Sequence, residues 1–150
     1  MELEVGSYVG GVRITKRLYQ RKAKGGAVYS ACDIQQYEEG DNLAACRVLA
    51  DCLGWICILL PPIPDIKTPD MMKADDLTLW EIKTNNTGST NSIDNALRVA
   101  KDQSKNVIIR FNKESFDTKK NEKAAIRRAR RSGTKRLIFI TEKQARFIDV

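Results

Sequence analysis

Hydrophobic and polar positions alternate along the chain in short stretches whose period changes several times. Near the N-terminus, "YVGGVRITKRLYQRK" and "GAVYSACDI" read as a basic, hairpin-like segment with Gly25 and Gly26 as the turn signal. In "EEGDNLAACRVLADCLG", Leu43, Cys46, Val48, Leu49 and Cys52 fall near helical spacing, with Asp41 as the expected N-cap and Gly54 as the stop. "WICILLPP" is a short apolar run ended by prolines, the pattern of a strand covered on both faces. "TPDMMKADDLTLWEIKTN" predicts two strands about the polar turn at Ala74, Asp75 and Asp76. "NTGSTN" reads as a loop. Ile93, Ala96, Leu97 and Ala100 then recur at i, i+3, i+4 and i+7 and predict an amphipathic helix. "NVIIRF" is a further buried strand, "KKNEKAAIRRARRSG" a basic helix stopped by Gly133, and "KRLIFIT" a last strand. The plan is α/β, a mixed sheet flanked by helices.

A chain of 150 residues is the size of one domain with one sizeable core. The longest apolar stretch, "LGWICILLPPI", is too short to span a bilayer, so no membrane partner is expected. Lys and Arg number 26 against 19 acids, a formal charge of +7, which favours an acidic partner such as nucleic acid or an acidic protein. Between Lys101 and Arg136 there are thirteen basic and four acidic residues, +9 locally against −2 for the remainder. Within that tract Arg127, Arg128, Arg130 and Arg131 crowd into little more than one helical turn. Ile126 and Ala129 are expected to pack inward, Arg127 and Arg131 to stack on an outward face with Arg128 beside them, and Arg130 to lie at the border. Like charges at that spacing cost helix stability, and a phosphate-rich partner offsets the cost; a solvated face is the plainer alternative.

The chain has no histidine, which excludes a Ser-His-Asp triad, a Cys-His pair and two-histidine acid/base chemistry. Hydrolytic chemistry here has to rest on carboxylates, lysine and a metal. Cys32, Cys46, Cys52 and Cys57 lack the spacing of a zinc knuckle or redox motif and read as reduced core residues. The strand "LTLWEIKTN" is where chemistry is expected. Side chains alternate faces, so Leu77, Leu79, Glu81 and Lys83 share one side and Thr78, Trp80, Ile82 and Thr84 the other. Hairpin pairing brings Asp70 of the preceding strand beside Glu81. Two such carboxylates repel unless a divalent cation sits between them, and Mg²⁺ takes such oxygens while keeping several waters. The plainer reading of Glu81 and Lys83 is a cross-strand solubilising pair, and of Asp70 a turn residue after Pro69.

"PD" at 69 and 70 followed by "EIK" at 81 to 83 resembles the PD-(D/E)xK pattern of restriction-endonuclease-like nucleases, and the order of elements about it is similar. More narrowly, residues 68 to 111 resemble the C-terminal toxin nucleases of CdiA-type contact-dependent growth inhibition proteins and related polymorphic toxins, some of which cleave tRNA. The resemblance covers about residues 38 to 140, which makes 1–37 a basic N-terminal segment of a single domain, 1–150, carried at the C-terminal end of a larger exported protein. It implies a restriction-endonuclease-like PD-(D/E)xK core in which Asp70 and Glu81, with the Ile82 carbonyl, hold a divalent metal, Mg²⁺ first and Mn²⁺ or Zn²⁺ as alternatives. Lys83 is then catalytic, Gln103 faces the site, and Glu39 is the choice for a further metal carboxylate. Lys105, Arg127, Arg128, Arg130 and Arg131 become candidate nucleic-acid contacts.

The activity so implied is a metal-dependent nuclease acting on RNA, tRNA favoured, in the target-cell cytoplasm, with an acidic cognate immunity protein as partner. The competing readings are a DNA endonuclease of a mobile element or repair system and a non-catalytic nucleic-acid-binding module.

Overall fold

A computed structural model of the chain describes residues 2–32 and 40–150. Strands β1 (Tyr8–Val9) and β2 (Val12–Arg13) pair as a small hairpin. There follow β3 (Lys16–Arg21), β4 (Gly26–Ser30), α1 (Asp41–Leu53), β5 (Ile56–Leu59), β6 (Met71–Lys73) and β7 (Leu79–Asn85). The chain ends with α2 (Thr90–Ala100), β8 (Asn106–Phe111), α3 (Lys119–Ser132), β9 (Arg136–Ile140) and β10 (Ala145–Ile148). Eight strands form one mixed sheet in the order β10-β9-β8-β7-β6-β5-β4-β3. The pairs β4–β5, β7–β8 and β8–β9 are parallel, each bridged by a helix, and the other four are antiparallel. The expected mixed α/β plan is therefore present, and the segment before residue 38 supplies β3 and β4 to the same sheet.

Alternation along the strands divides the core between two faces. On one face, Val28, Cys57, Leu59, Met71, Trp80, Ile82, Ile108 and Ile138 pack against Leu43, Cys46, Leu49 and Ala50 of α1. Helix α1 touches strands at both margins of the sheet, β3 and β10, so the sheet wraps around it. The opposite face has two separate coverings. Ile93, Leu97 and Ala100 of α2 and Ala125 and Ala129 of α3 lie on Val107, Ile109, Leu137 and Phe139. The β1–β2 hairpin, through Val9 and Val12, lies instead on Ala27, Tyr29, Ile58 and Met72. β7 runs where these two coverings part.

Three local expectations need correction. Asp41 is not the N-cap of α1: Gly40 occupies that position without a side-chain cap, and Asp41 opens the helix, where a negative charge suits the dipole and pairs with Arg110 at 3.4 Å. Leu77 does not belong to β7. Its N–H bonds to Lys73 O and the Asp76 carboxylate accepts from both the N–H and hydroxyl of Thr78, which closes a turn with Leu77 at φ +61°. β10 was not anticipated; Arg146 ties it to Asp117 at 2.8 Å and to Glu122, long-range contacts that a four-residue pattern cannot announce.

Gly26 explains how closely α1 lies on β4. A Cβ added there would stand 2.3 Å from the Ala50 carbonyl oxygen, which is helix backbone and has no room to yield. Gly26→Ala is expected to lower unfolding stability by about 1–3 kcal/mol; an unchanged denaturant midpoint would contradict the close approach.

Candidate active site

Asp70 immediately precedes β6, and the register of the β6–β7 pair, Met71 opposite Trp80 and Met72 opposite Leu79, puts Asp70 opposite Glu81. The backbone closes the pairing, with Asp70 N–H donating to Trp80 O at 3.0 Å. The Asp70 carboxylate accepts from the Ile82 N–H at 2.8 Å, which fixes its direction toward β7. Glu81 Oε2 lies 3.1 Å from Lys83 Nζ, two residues along and on the same face. Trp80 and Ile82, on the other face, are buried in the α1 core and hold the strand in register. The side chain of Ile82 therefore anchors, while its N–H orients Asp70.

Glu81 is only 2% exposed, and its Oε1 has no hydrogen-bond partner. Burial first, and then the neighbouring Asp70 carboxylate, pushes its pKa from the usual 4.5 to about 8, against the opposing pull of Lys83. The thiol of Cys46 on α1 is also pushed up, by the adjoining Cys57 thiol first, then by burial, and by the Asp70 charge as well. Gln103 lies just beyond α2 in a turn whose N–H still reaches Ala100 O at 2.9 Å. Its Oε1 is likewise buried without a partner, and it lines a cavity of about 250 Å³ together with Asp70.

The remaining walls of that cavity come from Leu60, Pro62, Ile66, Lys67, Thr68 and Pro69. The sequence reading gave this loop no role, although all four prolines of the chain fall between residues 61 and 69. Such a density stiffens a connection. Lys67 ties the loop to the end of α2 through Asp102 at 3.2 Å.

The structure thus brings together Asp70, Glu81, Ile82, Lys83 and Gln103. Glu39 lies outside the described residues. Lys105 is exposed in the turn before β8, near the C-terminal end of α3, where a Cβ on Gly133 would meet its Nζ at 3.4 Å. Arg127, Arg130 and Arg131 are exposed on α3, and Arg127 and Arg130 line a surface groove with Lys123 and Ile126. Ala125 and Ala129 carry the inward face, whereas Ile126 is only half-buried. Arg128 departs from the expected outward cluster: Asp94 of α2 receives its Nε at 2.8 Å and Nη2 at 3.1 Å, a bidentate pair that holds α3 to α2.

Among the described residues no group of three or more His, Cys, Asp and Glu side chains is placed to hold a metal. The donor chemistry of Asp70 and Glu81 nevertheless fits a hard divalent cation. Mg²⁺ is commonly held by one or two carboxylates and otherwise by water, and an unpartnered buried carboxylate oxygen beside a second carboxylate is the environment such an ion relieves.

Fold and site together define a mixed α/β domain with a carboxylate pair and a lysine at the middle of its sheet. The family model of the contact-dependent growth inhibition CdiA C-terminal domain matches residues 67–145, more than half of the chain, and the chain belongs to that family. No match is found among curated proteins or among solved structures. Among the described residues, no helix is long and apolar enough to cross a membrane.

The raised pKa of Glu81 carries a sign. Below its ordinary value near 4.5 the carboxyl is neutral in both folded and unfolded chains and costs nothing. As pH rises toward about 8, the unfolded chain ionises freely while the folded one resists, so stability falls, by about 3 kcal/mol at pH 7. Glu81→Gln is therefore expected to raise the Tm of metal-free protein at pH 7 to 8 and to leave it unchanged near pH 4. Millimolar Mg²⁺ or Mn²⁺ is expected to raise the Tm of the wild type but not of this variant. Equal melting of the two proteins at pH 8 without metal would contradict the electrostatic account of Glu81.

Proposed function

We propose that this domain is a nuclease toxin of the PD-(D/E)xK type, a restriction-endonuclease-like phosphodiesterase that requires a divalent metal and cuts RNA, with tRNA favoured. The observation that carries the reading is the meeting of Asp70 and Glu81 across the β6–β7 pair with Lys83 on Glu81 at 3.1 Å. The order of the motif residues matches the PD-(D/E)xK pattern, and membership of the CdiA C-terminal family supports a growth-inhibition toxin. In this reading the domain is delivered from a larger exported protein and acts in the cytoplasm of the target cell.

Asp70 and Glu81 would hold the cation, with the Ile82 carbonyl as a further donor, and Mg²⁺ suits this oxygen set better than Zn²⁺. When bound, the metal supplies a Lewis acid that acidifies a water and offsets phosphate charge. Lys83, already beside Glu81, orients the attacking water and offsets the negative charge that develops on the phosphoryl oxygens. Gln103 offers its buried Oε1 as an acceptor for a water proton. The proline-rich loop and the α2 end limit bulk water around these groups.

The substrate backbone would run from this cleft past Lys105 to the exposed Arg127, Arg130 and Arg131. Arg128 has a structural role in place of a substrate contact, because Asp94 already neutralises it. A chain of net charge +7 calls for an acidic immunity protein, which would associate rapidly through electrostatic steering.

Asp70→Ala, Glu81→Ala and Lys83→Ala are each expected to lower cleavage of tRNA by at least about a hundredfold while circular dichroism remains native. A chelator should stop the wild type, and Mg²⁺ should restore it. Parallel reactions on duplex DNA and on mixed RNA decide the substrate: cleavage confined to DNA would replace the RNA reading with a DNA endonuclease, and no cleavage of either would leave a binding module.

For the basic face, the triple variant of Arg127, Arg130 and Arg131 to Ala is expected to weaken RNA binding and flatten its dependence on salt. Arg128→Ala should leave that slope unchanged. The opposite ranking in a salt series of binding curves would return the three exposed arginines to an ordinary solvated surface.

A further inference from the structure

A second concavity adjoins the Asp70 cavity and has the opposite character. It is an open groove of about 510 Å³, walled by the N-terminal hairpin on one side and by the loop after β5 on the other. Tyr8, Val12, Leu60, Pro61, Ile63 and Leu79 make it mainly apolar, and Arg13 stands exposed at its rim. Tyr8 is 70% exposed and Leu79 42% exposed, so large apolar surface is left open in one place. Leaving such surface in water costs about 25 cal/mol per Å². Contiguous patches of this kind mark binding sites.

Position says what the groove would bind. Leu60, Thr68 and Pro69 wall both this groove and the cavity of Asp70 and Gln103, so the two spaces adjoin. Leu79 stands two residues before Glu81 on the same face of β7. The hairpin that carries Tyr8 packs closely where it meets Met72 and Leu77, whose side-chain ends would stand 3.0 and 3.1 Å from a Cβ on Gly10. A scissile phosphate brought to Asp70 and Glu81 through a cation would carry a nucleoside on each side, and the apolar groove begins beside that site. An exposed tyrosine ring with proline and leucine walls is a surface on which a flat heterocycle stacks.

We propose that this groove is a base-binding subsite that takes one unstacked nucleobase adjoining the scissile phosphate, with Tyr8 as the stacking platform, and so selects single-stranded or loop RNA over duplex. The inference rests on the nuclease reading for its phosphate and adds the conformation of the substrate. A base inside a helix keeps both faces stacked and is not free to stack on Tyr8, whereas RNA loops present theirs splayed out. Arg13 at the rim is placed to meet the next phosphate. The lining is mainly apolar, and the discrimination proposed is between unpaired and paired bases.

The test is binding in a chelating buffer, where no cleavage is required. Fluorescein-labelled single-stranded hexanucleotides and an RNA duplex of the same sequence are titrated with wild type, Tyr8→Ala and Tyr8→Phe. Tyr8 is exposed enough that neither change threatens the fold. Wild type is expected to prefer the single strand, Tyr8→Ala to lose about tenfold on the single strand and nothing on the duplex, and Tyr8→Phe to restore the loss. The salt slope should stay constant across the three proteins, since stacking releases no counterions.

Equal binding by wild type and Tyr8→Ala, or a wild-type preference for duplex, overturns the subsite. So does a Tyr8→Ala protein that binds RNA normally but binds its immunity protein poorly, because the groove then belongs to a protein partner. A Tyr8-dependent preference for single strands in a wild type that cleaves nothing when Mg²⁺ is returned supports the subsite and sinks the nuclease reading. Cleavage and RNA binding that ignore Tyr8 do the reverse.

Discussion

Two carboxylates facing each other across adjacent antiparallel strands repel, and at Asp70 and Glu81 that repulsion is placed where water is scarce. Glu81 is almost wholly buried, with one oxygen on Lys83 and the other on nothing. A sheet selected for stability alone would have put Leu or Val at Glu81, since a buried carboxyl with an unpartnered oxygen costs stability. The lysine lessens the cost without removing it. We propose that the arrangement is a site prepared for a positive ion, which the surrounding structure would hold in that condition.

Three parts of the fold do this. The α1 core fixes Trp80 and Ile82 on the reverse face, so β7 cannot slip and Glu81 cannot turn away. The parallel pairing of β7 with β8, Glu81 opposite Val107 and Lys83 opposite Ile109, gives the charged residues apolar neighbours on a well-packed strand. The division of the other face between the β1–β2 hairpin and the α2–α3 layer leaves a cleft along β7. Into that cleft the α2 end contributes Gln103, and the stiff proline-rich loop closes over Asp70. On the proposed nuclease reading, the separate locations of polar cavity, apolar groove and basic helix would serve the scissile phosphate, one base and the flanking backbone respectively.

Much of this was legible in the sequence because it is local. The period of β7 placed Glu81 and Lys83 together, and the short turn between two strands placed Asp70 opposite. The apolar spacing of α2 named its buried residues Ile93, Leu97 and Ala100. What was not legible depends on distant partners. Arg128 reads like its neighbours Arg127 and Arg130 until Asp94, thirty-four positions away, is found beside it. The N-terminal hairpin looks like a basic segment apart from the core, and only its packing on Ala27, Tyr29, Ile58 and Met72 reveals that it walls a groove next to β7. The Asp41 cap failed for a local reason, since Gly40 in extended conformation took the position first.

The most direct test of the prepared-cation-site account is a count of protons released when the metal binds. With its pKa pushed up to about 8, Glu81 would be mostly protonated at pH 7, and a cation that takes it as carboxylate would expel that proton. Calorimetric titration of Mn²⁺ into the protein at pH 7, repeated in buffers of different ionisation enthalpy, gives that number. The account predicts one ion bound per chain with close to one proton released, and neither event in Glu81→Gln. Metal binding with no proton release, or binding undiminished in Glu81→Gln, would contradict it.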